Sequence, residues 1–202
     1  MKHYRSLYPN HVHQLSVSVS KHYYAGADKL LKYQNKAFDI NLNNAAKTSK
    51  DHLIVYSLRD HMSGLYYVEL AFLSNLLPIR DFLYNAWSNK ETVKFSGLPE
   101  IMLIPKTVEK IFPDMINRVL SQNIELVPVS SGFQSGGLIA MKAVENHLVF
   151  YIKQPISELN KAALEIYHYN AKSMMRGHTN DVTKEDCWIQ SVPNLRFPSN
   201  DF

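Results

Sequence analysis

A chain of 202 residues and 23.3 kDa suits one domain of ordinary size, able to bury about 70% of its unfolded surface without disulfides or metal. Its 46% hydrophobic and 20% charged residues exclude a disordered chain. No run reaches the roughly 18 apolar residues of a membrane span, and Met1-Lys2-His3-Tyr4-Arg5 leads into no signal-peptide core. The net charge of +4 is uneven: residues 1–50 hold eight Lys or Arg against Asp28 and Asp39, while the remainder is slightly acidic. A basic quarter of this kind either attracts a polyanion or forms a solvated face. The single Cys187 makes no internal disulfide and fits a reducing, cytoplasmic compartment.

In chain order, Leu15, Val17 and Val19 alternate with serines, which predicts a strand over 13–19 with one buried face. A polar, lysine-bearing stretch follows from about 20 to 51, with a short amphipathic helix expected over 27–33. Strands are predicted over 52–58 and 64–72, then a helix over 76–88 with Pro78 in its first turn. Gly97-Leu98-Pro99 punctuates before a strand over 100–104, and Pro113 opens a helix over 114–121. A short strand at 124–129, a glycine loop at 130–137 and helices at 138–151 and 156–171 complete the pattern. Beyond residue 187 the chain reads as an irregular tail. Strands first, then helices alternating with strands, predict a mixed sheet flanked by helices.

Four segments in order carry a resemblance. Pro9-Asn10-His11-Val12-His13-Gln14-Leu15-Ser16 is similar to P-N-x-V-W-Q-x-D, and Val55 to Gly64, with Asp60 and Ser63, to a second-strand segment containing D-x-x-S. Gly97-Leu98-Pro99 is similar to a G-x-P that precedes T-D-N-G. Val127 to Gly137 is similar to a loop written S-x-x-x-P-Q-S-N-G-x-x-E, and Tyr169-Asn170 echoes a final Y-N. Together they resemble the catalytic core of retroviral-type integrases and bacterial transposases, over about residues 8–187. The resemblance implies an α/β, ribonuclease-H-like fold: a five-stranded mixed sheet with helices on both faces.

That family uses three carboxylates to hold two divalent metals for in-line phosphoryl transfer, because hard Mg²⁺ takes charged oxygen ligands. The resemblance puts the three acids at Ser16, Pro105 and Ala140, and none of these is an acid. The expectation is therefore a degenerate site with no catalytic residue, no metal and no cofactor. Asp60 matches an Asp that the family does not use as a ligand. Glu109, Asp114 and Glu145 read as surface charges, Glu145 being turned about 140° around the helix from Ala140.

Other patterns point to little chemistry. His11-x-His13 has no third or fourth ligand at zinc spacing, although His147 or Cys187 would serve if close. The serines of 130–137 form no G-x-S-x-G, and no Gly-Lys-Ser/Thr follows the glycines. Cys187 reads as inert, and Tyr66-Tyr67 and Phe150-Tyr151 as strand and helix core. Lys21, Lys29, Lys32, Lys36, Lys47 and Lys50 stand among Tyr23, Tyr24, Tyr33 and Phe38. Such interleaving tracks a nucleic-acid backbone and stacks bases, or else decorates a surface insertion. The reading is an inactive integrase-like core that binds DNA, a transposase or other protein partner, or its own copy as a homodimer, with no membrane role. The alternative is a regulatory protein-interaction module on the same scaffold with no nucleic-acid role.

Overall fold

The computed structural model describes residues 6–129, 135–175, 182–191, 195–199 and 202. Six strands form one mixed sheet: β1 (Val12–Ala25), β2 (Leu31–Tyr33), β3 (Asp51–Asp60), β4 (Tyr66–Phe72), β5 (Ile101–Pro105) and β6 (Glu125–Val129). The order is β4-β3-β1-β5-β6, with the short β2 pairing only to β1. The first three of these strands run antiparallel, whereas β1–β5 and β5–β6 are parallel. The ribonuclease-H-like sheet is thus as expected, with β2 as an addition.

Alternation along the strands builds two cores. On β3, Ile54, Tyr56 and Leu58 face one way, and Leu53 and Val55 the other; all five are buried, as a central strand demands. The first face packs against α1 (Ile79–Trp87), α2 (Lys106–Ile111), α3 (Asp114–Ser121) and α6 (Lys184–Ser191). The second packs against α4 (Ser135–Leu148) and α5 (Leu159–Ala171). Helix α3 spans the residues predicted for it, with Pro113 preceding it.

Four sequence expectations are corrected. No helix forms over 27–33. Instead the Asp28 carboxylate accepts the Leu30 N–H at 3.2 Å, Lys29 adopts φ 59°, and the chain reverses so that 31–33 pair with 23–25. A side chain that bonds the backbone two residues on competes directly with helix. The predicted glycine loop is shorter, because 135–137 are the first turn of α4; residues 130–134 lie outside the described residues. Phe150 is 78% exposed rather than core, since the chain has left α4 for a 3₁₀ turn at 149–151.

The fourth correction concerns the tail, whose expected start after Cys187 falls inside α6. Thr183 and Asp186 form a reciprocal cap there: the Thr183 hydroxyl donates to the Asp186 carboxylate at 2.6 Å and accepts the Asp186 N–H at 3.1 Å. Trp188 is then driven into the core, stacked on Phe95 at 5.1 Å with its indole N–H on the Lys94 carbonyl. Gly97, at φ 86°, lets Leu195 lie where a Cβ would meet it at 2.6 Å. Phe202 packs on Trp87.

Candidate functional site

Strands β1 and β5 pair only from Val12 to Gln14, after which they part. Gln14 lies opposite Leu103, so Ser16 and Pro105, each two residues further, stand level on neighbouring strands. They line one cleft of about 520 Å³, which α4 covers. Helix α4 arrives at close range: a Cβ on Gly137 would meet the Ser16 Oγ at 2.3 Å and its Cβ at 2.7 Å. Gly137, Ala140, Val144 and Leu148 form the buried stripe of α4, the i, i+3, i+7 spacing of one helix face. Ser16 and Pro105 thus share the cleft, and Ala140 lies one turn along α4 from Gly137, its methyl buried.

The close approach of α4 to β1 yields a sharp test. Gly137→Ala gains helix propensity of at most about 1 kcal/mol but forces overlap costing about 1–3 kcal/mol. Gly137→Ala is expected to destabilise, and Ser16→Gly, which removes both clashing atoms, to recover most of the loss. Denaturant melts of the two single variants and the double variant read the coupling. Simple additivity would mean that α4 does not rest on β1 at Ser16.

The cleft's polar groups come from three elements. Ser16 and Ser18 hold their hydroxyls 3.2 Å apart. Further along β1, the register slips between Val19 and Tyr24, and the Ser20 hydroxyl accepts the N–H groups of His22 and Tyr23. Strict alternation from Ser16 would send Lys21 to the face of Val17 and Val19. The cleft follows the edge of β1 where β5 has parted from it, so residues of both faces line it: Ser16, Ser18 and His22 with Val17, Val19 and Lys21. Thr107 joins from α2, and Leu138, Met141, Lys142 and Glu145 from α4.

Glu145 was expected on the surface, away from the site. Its rotation from Ala140 is real, but Ala140 faces the sheet, so the turn carries Glu145 into the cleft. There its carboxylate accepts the Ser20 hydroxyl at 2.7 Å, while its backbone carbonyl accepts the Tyr23 hydroxyl at 2.9 Å.

The remaining predicted lysines do not gather with Lys21. Lys29 and Lys50 line a second groove, of about 980 Å³, beside the start of α5. Lys32 pairs with Asp28 at 2.5 Å. Lys50 lies 4.2 Å over the Tyr24 ring and 4.6 Å over Phe38, so those aromatics hold an internal cation. Lys36 and Lys47 are exposed. Tyr23 is buried and Tyr33 tilts on it at 5.1 Å.

The histidine pair divides. His11 reaches Glu100 at 3.8 Å, whereas His13 is fully buried and accepts the Trp87 indole N–H at 3.2 Å. His147 bonds Glu165 on α5. Cys187 is buried, and desolvation raises its thiol pKa. Asp60 is buried at the end of β3, where it organises the turn to β4. Glu109 is half-buried and Asp114 exposed.

No protein-family model and no curated protein matches the chain. Solved structures do. The HTLV-2 integrase catalytic core in complex with magnesium, in its dimeric form, superposes with a TM-score of 0.53 at 17% identity, covering 91% of this chain and 98% of that one. Its trimeric form gives 0.52 at 15%, covering 91% and 99%. The simian T-cell lymphotropic virus intasome, solved with the PP2A regulatory subunit B56 gamma, gives 0.53 at 12%, covering 97% of this chain and 61% of that chain. The fold is that of an integrase catalytic core.

A divalent pair does not fit this cleft. Ser16 offers a neutral hydroxyl, Pro105 no side-chain donor, and Ala140 a methyl turned onto the sheet. The carboxylate that lines the cleft, Glu145, is held by Ser20, and the two lysines add positive charge. Hard cations need several oxygen ligands, and among the described residues no three His, Cys, Asp or Glu side chains stand together to hold a metal ion. Among them, too, no helix is long and apolar enough to cross a membrane.

Proposed function

We propose that this protein is an integrase-core-like binding protein that has given up phosphoryl transfer, with DNA as its partner. One observation carries the reading: the cleft that Ser16 and Pro105 line, beside two of the positions where the resemblance expects acids, presents hydroxyls and the lysines Lys21 and Lys142. Cations without metal-holding carboxylates suit binding of a polyanion rather than activation of water. The basic segment 21–50 adds Lys29, Lys36 and Lys47, all exposed, as separate contacts outside the cleft.

Purified protein is expected neither to cut nor to join DNA in Mg²⁺ or Mn²⁺, and to bind it weakly with little sequence preference. Neutralising Lys29, Lys32 and Lys36 together should flatten the plot of log affinity against log salt, by up to about 0.9 for each phosphate no longer neutralised. Lys32 contributes least, because Asp28 already neutralises it. Divalent-dependent strand transfer that survives alanine at Asp60, Glu109, Asp114 and Glu145 would overturn the loss of chemistry. An unchanged salt slope would remove the segment from the binding face.

A second reading, a protein-interaction module, is favoured by Phe150 and Tyr169, which are 78% and 76% exposed beside α4 and on α5. Contiguous exposed apolar surface marks a contact site, and His147, whose ring lies 6.0 Å from that of Phe150, shares a groove with Tyr169. A transposase or a second copy would then be the partner, and DNA affinity would be absent at every salt concentration.

A further inference from the structure

The cleft under α4 has the volume of a small-molecule site, about 520 Å³, and its charges are unbalanced. Lys21 enters from the β1 bulge and Lys142 from α4. Neither ammonium has an ion-pair or hydrogen-bond partner among the described residues. Glu145, held by the Ser20 hydroxyl, keeps its negative charge, so the cleft sets two ammonium groups against one carboxylate and carries an excess positive charge. Of the paired Ser16 and Ser18 hydroxyls, one donates to the other, which leaves the second proton for an incoming oxygen.

The rest of the lining is of a different kind. Ile40, Leu42, Leu138 and Met141 give an apolar wall, and Asn41 and Asn43 add amides beside it. Buried Ile40 is fixed in the core, whereas Leu138 is 62% exposed at the rim of the cleft. A ligand matched to this surface carries a negative head and a flat, weakly polar body. Apolar walls with a few placed polar groups are the common build of such pockets.

We infer that the cleft binds a nucleoside phosphate without any divalent metal, Lys21 and Lys142 holding the phosphate and the apolar wall receiving the base. The inference rests on the binding role proposed above and extends it to the occupant of the cleft. The nucleotide is either free or one unit of a strand; both present the same chemistry. Ammonium groups take the electrostatic place that metals would need carboxylates to fill. Their contacts are charge-assisted hydrogen bonds, stronger than neutral ones.

The test titrates adenosine monophosphate, and separately a short single-stranded oligonucleotide, into three proteins in EDTA and in Mg²⁺. The proteins are the natural chain, a Lys21→Glu/Lys142→Glu variant, and the Lys29, Lys32 and Lys36 variant. Both reversed lysines are exposed, so the ligand-free melting temperature should stay close to natural and verify the fold. The expected result is binding that EDTA leaves unchanged and that the cleft variant weakens by about tenfold or more. Mononucleotide binding lost in the cleft variant, with no oligonucleotide binding, upholds the cleft site and overturns the DNA reading. Oligonucleotide binding that ignores the cleft variant and falls only with the segment variant overturns the cleft site and leaves the DNA reading standing. Binding of either ligand that requires Mg²⁺, or no binding of either, overturns the inference.

Discussion

Asp60→Ala is expected to lower unfolding free energy by about 3–5 kcal/mol, the largest single-site loss in the molecule outside its aromatic core. The carboxylate is fully buried and accepts three hydrogen bonds. The Asn10 N–H reaches Oδ1 at 2.9 Å, and the Ser63 N–H and hydroxyl both reach Oδ2 at 2.6 Å. Alanine leaves those donors in a dry site, and each abandoned group costs about 1–3 kcal/mol. The damage spreads, because Asn10 is held at φ 69° and the Ser63 hydroxyl in turn accepts the Leu65 N–H. Asp60→Asn keeps one oxygen, so it should lose about half as much. Denaturant melts at neutral pH measure both. A cost for alanine below about 1 kcal/mol would show that the turn between β3 and β4 stands without the carboxylate.

Acid is expected to weaken the protein through His13. Burial alone, with Trp87, Phe95 and Trp188 around the ring, pushes its pKa down to about 3, against about 6.5 in the unfolded chain. The folded state therefore refuses a proton that the unfolded state takes up, so stability falls as pH drops below about 6.5 and goes on falling towards 3. Between pH 7 and pH 5 the loss from this residue is about 2 kcal/mol. His52 and His61 are also lowered by desolvation and act in the same direction. Asp60 acts oppositely, since burial raises its pKa and the folded state then gains from proton uptake.

The His13 share is isolated by comparison with His13→Phe, in which every other group still titrates. The natural protein should lose about one proton's worth of stability more per pH unit between 6 and 4, roughly 1.4 kcal/mol per unit. His13→Phe also forfeits the acceptor for the Trp87 indole, so its stability at pH 7 should be lower by about 1–2 kcal/mol. The pH slope, not that offset, decides the matter: equal slopes would place His13 in contact with water.

Much of the architecture was readable from local pattern. The two-sided apolar run of β3, the alternation at Leu15, Val17 and Val19, and Pro113 ahead of α3 each depend on residues within a few positions. Within the segments that carry the resemblance, Ser16 and Pro105 line one cleft, with Gly137 of α4 pressed on Ser16. The cap that begins α6 was also present in the sequence, as Thr183-x-x-Asp186, a spacing that announces a helix start.

By itself, then, the sequence determined the mixed sheet flanked by helices, and the identity of the residues at 16, 105 and 140. Tertiary structure alone decided what surrounds them. Where the β1 register slips, Ser20 accepts the N–H groups of His22 and Tyr23, and it in turn holds Glu145, 125 residues away. The hairpin at 23–33 replaced a helix because its backbone groups found partners on β1 and in the loop after α4, where Leu31 donates to the Gln154 carbonyl. Trp188 left the tail because Phe95 and the Lys94 carbonyl were waiting for it. Each of these outcomes is fixed by a hydrogen bond or a ring contact between residues far apart in the chain. Periodicity registers only which face a residue prefers; the partner that satisfies a buried polar group is supplied by the fold.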